Sequence, residues 1–106
     1  MAISLSFKID KKMETFKKDD IYLSDNIRAV KHQIVQTEYY TSEKQTPEAF
    51  EEMQNDFCEM IADIFDNEFS SEQLKKGLTL KKYKEVENIY ILALGGKVEK
   101  EDSEKK

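Results

Sequence analysis

The sequence predicts an α+β fold that is mostly α, with an N-terminal β-hairpin packed on about four helices. Three observations favour this class. The first residues alternate between apolar and polar side chains, which is the period of a strand. Much of the remaining chain has apolar residues three and four positions apart, which is the period of a helix. Only three glycines and one proline occur among 106 residues, which is sparse punctuation for a sandwich or barrel of many strands.

A chain of this length corresponds to one domain, since domains commonly hold roughly 100–150 residues. We therefore expect a single domain over residues 1–96. Six Phe and five Tyr residues argue against wholesale disorder, while 37% charged residues predict a strongly ionised surface. Residues 97–106 contain four basic and four acidic side chains, and we expect them to form a disordered charged tail.

The hairpin is predicted from residues 3–9, in which alternate residues form one apolar strand face: Ile3, Leu5, Phe7 and Ile9. Residues 10–12 are typical of a polar turn, and residues 13–17 return as a second strand. An isolated hairpin is only marginally stable in water, so this one should pack on the helices. Alternatively, the first strand pairs with a partner chain and forms an assembly edge.

A first helix is predicted over residues 25–40. Ser24 is a favourable N-cap, and Asp25 brings negative charge to the first turn, where the helix dipole favours it. Apolar residues at helical spacing should form its buried face: Ile27, Val30 and Ile34.

A polar loop over residues 41–46 leads to the second helix, residues 47–66. Thr46 is the predicted N-cap, and Pro47 occupies the first helical position, where its missing N–H is not needed. A wide apolar stripe on this helix should face the core: Phe50, Met53, Phe57, Ile61 and Ile64. Acidic residues lie largely off that stripe and should face solvent: Glu51, Glu52, Asp56, Glu59 and Asp63.

Two further helices complete the predicted fold. Ser70 and Gln73 form a capping-box pattern for a helix of about two turns, and Gly77 is a natural left-handed stop for it. Thr79 then caps a final helix that ends at the glycine pair of residues 95–96. Its apolar residues at helical spacing are Leu80, Tyr83, Val86, Tyr90 and Leu94.

Composition excludes several classes of function. A net charge of −5 disfavours nucleic acid as a partner, because phosphate contacts need surplus Lys and Arg. No apolar run approaches the roughly 20 residues of a membrane span. One cysteine, Cys58, and one histidine, His32, cannot form a zinc site or an internal disulfide. We therefore predict no metal and no cofactor, and an intracellular protein.

Catalysis is not expected either. Cys58 could act as a nucleophile with His32 as its base. However, Asp56, Glu59 and Asp63 lie close to Cys58 in the sequence and should raise the pKa of its thiol. The sequence has no glycine-rich phosphate loop and no nucleophile elbow. We therefore predict that the protein is not an enzyme.

Charge and aromatic residues give candidate contacts for a protein partner. Residues 46–78 contain nine acidic and two basic side chains, a net charge of −7. Three acidic residues of this segment could dock a basic partner: Glu52, Asp56 and Glu59. Tyr39 and Tyr40 adjoin the polar loop, and tyrosine is enriched at interface hot spots.

Residues 61–78 resemble a pattern of the tail assembly chaperones of siphophages, the phages and prophages with long, non-contractile tails, of Gram-positive bacteria. In that pattern, an acidic amphipathic helix ends in aromatic-Asp/Gly-Asn-x-Phe. Ser/Thr-x-Asp/Glu, an aliphatic residue, two spacers and Gly-Leu follow. Eight residues of this sequence occupy the positions: Phe65, Asn67, Phe69, Ser70, Glu72, Leu74, Gly77 and Leu78. Residues 1–45 match no particular motif of the family.

The resemblance implies a non-enzymatic chaperone that transiently binds the tape measure protein, the tail tube protein or both during tail assembly. It also implies action in the host bacterial cytoplasm, absence from the mature virion and often a longer product made by ribosomal frameshifting. Phe65 and Phe69 join the candidate partner contacts. Flexible methionines could fit varied apolar stripes on a partner: Met13, Met53 and Met60.

A second hypothesis comes from the acidic segment. It could belong to a small phage-encoded regulatory or inhibitory module, such as a DNA mimic or an antitoxin, whose carboxylates imitate phosphate spacing. That hypothesis predicts a basic partner and binding that weakens steeply as salt rises. Weak self-association is open under either hypothesis.

Overall fold

The computed structural model describes residues 3–96. They form a two-stranded antiparallel sheet followed by four α-helices, which confirms the predicted α+β, mostly α class. The elements are β1 (Ile3–Ile9), β2 (Lys12–Lys18), α1 (Leu23–Thr41), α2 (Pro47–Ile64), α3 (Ser71–Gly77) and α4 (Tyr83–Ala93), with a 3-10 turn at Leu80–Lys82. None of the helices in this range combines the length and the hydropathy that a membrane crossing requires. The predicted disordered tail, residues 97–106, lies outside the described residues.

A two-residue turn joins β1 and β2. Asp10 and Lys11 have φ angles of 53° and 70°, and a type I′ turn requires left-handed residues at both positions. The turn pairs Ile9 with Lys12, so the second strand begins one residue earlier than predicted. The buried residues of β1 are among those that the alternation predicts: Ile3, Leu5 and Phe7.

The core lies between the inner face of β1 and the helices. The ring centroid of Phe7 lies 5.4 Å from that of Phe16 and 4.9 Å from that of Phe69. Aromatic pairs at these distances stabilise a core beyond the area that they bury. The predicted stripe of α2 supplies much of the opposite side: Met53, Phe57, Ile61 and Ile64.

On the second and the final helix, one residue each of the predicted apolar face is exposed. Phe50 lies in the first turn of α2, where its ring packs on Tyr39 at 5.9 Å between centroids. Leu80 is 87% exposed, because it lies in the 3-10 turn and α4 begins only at Tyr83. Its side chain therefore does not share the buried face of α4.

The prediction for the buried face of α1 is wrong. Ile27, Val30 and Ile34 are exposed. The residues that the helix buries lie on another face: Asp25, Ala29 and His32. Apolar spacing alone places the wrong face inward, because it leaves out the polar partners that α2 and α4 offer to α1.

The start of α1 is tied to the end of the hairpin. The N-cap is Tyr22 and not the predicted Ser24. The backbone N–H of Tyr22 donates to Oδ2 of Asp25 at 2.9 Å, and Nζ of Lys18 lies 3.1 Å from the same oxygen. Both charged side chains are buried. Asp25 lies in the first turn, as predicted, but its carboxylate also joins β2 to the helix.

Two left-handed residues form a tight joint between α2 and α3. α2 ends at Ile64, two residues earlier than predicted, and Asp66 and Asn67 both have a φ of 58°. Asp and Asn adopt this conformation more readily than most other residues with a side chain. Phe65 and Phe69, on either side of the pair, are buried. The joint is therefore held in place by the core.

α3 has the predicted capping box. The backbone N–H of Gln73 donates to Oγ of Ser70 at 3.0 Å, and the backbone N–H of Ser70 donates to Oε1 of Gln73 at 2.9 Å. These bonds satisfy two N–H groups at the start of the helix. Leu74, on the inward face of α3, is buried.

Gly77 is the last residue of α3, but the prediction that it is a left-handed stop is wrong, because its φ is not positive. A Cβ at this position would overlap the carbonyl oxygen of Lys8 and lie 2.9 Å from the ring of Phe7. Glycine is required because α3 approaches β1 so closely. At the end of α4, Gly95 has a φ of 94° and forms the predicted helix stop.

Replacing Gly77 by alanine tests whether the close approach of α3 to β1 requires glycine. Helix propensity alone favours alanine by about 1 kcal/mol, whereas overlap with the backbone of Lys8 should cost roughly 1–3 kcal/mol. We expect Gly77→Ala to lower the free energy of unfolding measured by urea denaturation. Lys76→Ala, one position away at an exposed side chain, should change it by less than about 0.5 kcal/mol. A Gly77→Ala variant at least as stable as the parent would contradict the close approach.

Candidate functional site

An apolar stripe lies along the outward face of α1. Its four residues are four, three and four positions apart: Leu23, Ile27, Val30 and Ile34. Their exposed fractions are 75%, 50%, 37% and 55%, in that order. This spacing places them on one side of the helix over about three turns. We call these four residues the outward stripe.

The exposed residues of α1 around the outward stripe carry little charge, although Asp63 and Asp66 border the groove beside Ile27. Of the exposed residues between positions 22 and 37, only Lys31 carries a charge. The whole chain, by contrast, has 37% charged residues. Depletion of charged residues is the composition that distinguishes the centre of a protein interface from the rest of a surface. The outward face of α1 therefore has the character of an interface.

Charged side chains of α2 hold the opposite side of α1. Nε of Arg28 donates to Oδ2 of Asp63 at 2.9 Å, and Nη2 of Arg28 donates to Oδ1 of Asp56 at 2.9 Å. Nδ1 of His32 lies 2.9 Å from Oδ2 of Asp56. Asp56 therefore joins two side chains of α1 that are one helical turn apart.

Contacts with α4 complete the packing of α1. The ring of His32 lies 5.3 Å from that of Phe57 and 5.4 Å from that of Tyr90. The Tyr90 hydroxyl donates to Oε1 of Gln36 at 3.2 Å. Nδ2 of Asn26 donates to the last carbonyl of α4 at 2.9 Å. We call the inward residues of α1 that make these bonds the polar anchor: Asn26, Arg28, His32 and Gln36.

The contacts between the polar anchor and α2 shift the pKa values of Asp56 and Arg28. Burial opposes the charge on Asp56, but hydrogen bonds from Arg28 and His32 outweigh it and lower the pKa of Asp56. Burial also opposes the charge on Arg28, and its bonds to Asp56 and Asp63 outweigh it and raise the pKa of Arg28. Each charge therefore stabilises the other at neutral pH.

The predicted acidic face is only partly free. Three of the nine acidic residues in positions 46–78 form ion pairs within the chain: Asp56, Asp63 and Glu72. Asp56 is therefore a structural residue that binds Arg28 and His32 of the polar anchor, which corrects the prediction that it faces solvent. Glu52 and Glu59 are exposed, and their contact with a partner stays a prediction. The DNA-mimic hypothesis is weakened, because three of the carboxylates that would imitate phosphates are paired within the chain.

Tyr39 and Tyr40 lie near the C-terminal end of α1, beside the first turn of α2. Their ring centroids are 5.0 Å apart, and the ring of Tyr39 lies 5.9 Å from that of Phe50. Tyr40 and Phe50 are exposed. Glu38 and Glu52 line the groove beside Tyr39, with Lys44 as its basic residue. We call these three aromatic and two acidic residues the acidic–aromatic end of α1.

Four other candidate contacts are buried in the core: Phe65, Phe69, Met53 and Met60. The joint and the inner face of α2 use these side chains for packing, and their contact with a partner stays a prediction. Met13, on β2, is exposed. Within residues 61–78, the aromatic residues of the family motif therefore build the fold and do not form a free surface.

The structure brings no catalytic pair together around Cys58. Burial raises the pKa of its thiol, and the negative charges of Glu59 and Glu72 raise it further, against the opposing effect of Lys75. A thiol of this kind is a weak nucleophile at neutral pH. His32 is bonded to Asp56. Among residues 3–96, no group of three or more His, Cys, Asp or Glu side chains could hold a metal ion.

The outward stripe is the surface that the sequence analysis missed. Ile27, Val30 and Ile34 have the spacing that predicts a buried face, and Leu23 lies before the predicted start of the helix. A second pattern was present on the same helix, since Arg28, His32 and Gln36 are also four residues apart. Two faces with helical period mean that one faces the fold and one faces outward. Only the acidic residues of α2 decide between them.

Comparison with known proteins agrees with the resemblance in residues 61–78 and extends it to the whole chain. A protein-family model described as phage tail chaperone protein matches residues 1–106. No significant match is found among curated proteins or solved structures.

Replacing Asp56 by asparagine tests the polar anchor. The native-state pKa of Asp56 is lowered, so its carboxylate stabilises the fold above the unfolded-state pKa, and this contribution is lost as pH falls through the native-state value. We expect Asp56→Asn to lower the free energy of unfolding by about 2 kcal/mol at pH 7, since bonds to charged groups contribute roughly 1.5–3 kcal/mol.

The difference from the parent should begin to shrink as pH falls below the unfolded-state pKa of about 4. It should vanish only when pH falls through the lower native-state pKa, where the carboxylate of the folded parent is protonated as well. Chemical denaturation at a series of pH values measures both effects. Glu59→Gln, an exposed residue three positions further on, is the matched control and should change stability by less than about 0.5 kcal/mol. Equal stability of the two variants at pH 7 would show that Asp56 does not hold α1.

Proposed function

The chain belongs to the phage tail chaperone protein family, and from this premise we propose that it binds an unassembled tail protein transiently during tail assembly. The tape measure protein is the first proposed partner, and the tail tube protein is the second. The role requires reversible binding and no catalytic step. A siphophage of a Gram-positive host is the source that the motif in residues 61–78 implies.

The outward stripe is the observation that supports this proposal. A tape measure protein is a long helical chain that leaves apolar stripes uncovered until the tail tube surrounds it. A chaperone for such a chain needs an apolar surface that is accessible in its own folded state. Leu23, Ile27, Val30 and Ile34 provide one, while the rest of α1 is fixed to the fold by the polar anchor.

The proposed role also fits where and when the protein acts. A tail chaperone works in the host cell during assembly, and we place this one in the host bacterial cytoplasm and outside the mature virion. The partner is released as the tail forms, because polymerised tube subunits cover the same apolar surfaces. A weak, exchangeable contact suits this sequence of events better than a permanent complex.

Co-expression with the neighbouring tail genes tests the proposal. The tagged chain should capture the tape measure protein, the tube protein or both from cells that do not assemble tails, because their apolar surfaces are then uncovered. Mass spectrometry of the captured fraction identifies the partner. A virion protein of the same phage with no part in tail assembly serves as the negative control. Recovery of neither tail protein would refute the proposal.

A further inference from the structure

We propose that the outward face of α1 is the docking site for one amphipathic helix of the tail partner. The helix places its apolar face over the outward stripe and a basic residue over the acidic–aromatic end. This inference rests on the proposed function. It adds the binding site, the secondary structure of the bound segment and the end of that segment that carries a basic residue.

The spacing of the outward stripe fits a helical occupant. Leu23, Ile27, Val30 and Ile34 are four, three and four residues apart, which is the a/d repeat that receives the side chains of a facing helix. The bonds of the polar anchor lie on the other side of α1, with α2 and α4. These bonds fix the rotation of α1 about its own axis, so the stripe stays exposed to solvent.

Charge complementarity gives the occupant its chemistry. Beside the middle of the stripe, Lys31 and the exposed carboxylates of Asp63 and Asp66 border one groove, so this part of the site favours no single charge on the bound helix. One turn beyond Ile34, the same face continues with Glu38, and Glu52 lies across the groove. The exposed rings of Tyr40 and its neighbours can also face a cation. A Lys or Arg near one end of the partner helix is thus favoured.

The area of the site favours a reversible partner and not a stable dimer. Four partly exposed apolar side chains make a patch on the order of a few hundred Å². Each partner in a stable protein–protein interface buries about 800 Å². Beside its stripe, a second copy of this chain offers one exposed basic residue, Lys31, and it brings the same two carboxylates, Glu38 and Glu52, to the contact. A single amphipathic helix with a basic end fits both the small area of the patch and the charge of Glu38 and Glu52.

Polar substitutions on the stripe test the site in the full chain. Ile27→Gln with Ile34→Gln removes two stripe residues, adds no charge and replaces β-branched residues by a better helix former, so the fold should be kept. We expect capture of the tape measure protein to weaken by at least about tenfold. Leu80→Gln is the matched control, because Leu80 is 87% exposed but lies off the stripe; it should bind like the parent.

Charge reversal tests the direction of the bound helix. Glu38→Lys with Glu52→Lys should weaken capture about threefold and reduce its dependence on salt, as expected for exposed charge pairs. Glu85→Lys with Glu87→Lys, at two exposed positions of α4, is the control for the change in net charge and should leave both unchanged. Equal capture by the Glu38/Glu52 variant and the parent would refute the basic end of the partner.

The outcomes separate this inference from the proposed function. If the parent captures a tail protein and the Ile27/Ile34 variant captures it equally well, the site is wrong while the function stands. If light scattering shows a dimer of the parent that the Ile27/Ile34 variant does not form, a second copy occupies the stripe and the inference is overturned. If the parent captures no tail protein, the proposed function fails and the inference fails with it.

Discussion

The ion pairs between Arg28 and the two aspartates of α2 determine how α1 lies on the fold. α2 presents Asp56 toward α1, and an uncompensated carboxylate at a packed interface costs several kcal/mol. Nη2 of Arg28 lies 2.9 Å from Oδ1 of Asp56, and Nδ1 of His32 lies 2.9 Å from Oδ2. An apolar face of α1 in the same place would leave this carboxylate without a partner. The apolar residues of α1 are therefore directed outward, and the surface proposed for binding follows from a charged contact inside.

The family motif and the proposed binding surface lie in different parts of the molecule. Asp66 and Asn67 supply two left-handed residues, Phe65 and Phe69 fill the core, and Gly77 lets α3 approach β1. These roles explain why the motif combines aromatic residues with Asn and Gly: it specifies a bend and a close approach. The motif therefore accounts for the geometry of the fold, while the outward stripe on α1 is the surface that we propose for a partner.

Local patterns predicted most of the fold and little of the site. The alternation of β1, the Thr46–Pro47 helix start and the Ser70–Gln73 capping box each act within a few residues, so sequence alone was sufficient. The role of Gly77 and the orientation of α1 depend on Lys8 and Asp56, which are distant in sequence. Periodicity identifies a helix face but not its neighbour. For this reason the exposed stripe was assigned to the core, and core aromatic residues were assigned to a partner.

α1 keeps its polar side against the fold, and we propose that its apolar side binds a helix of a tail protein. Nuclear magnetic resonance of the isotope-labelled chain, titrated with purified tape measure protein, measures this residue by residue. Shift changes or line broadening should concentrate at Leu23, Ile27, Val30 and Ile34, extend to Tyr40, and leave β1, α3 and the joint unchanged. Changes confined to the hairpin or to α3, with α1 unaffected, would contradict the account.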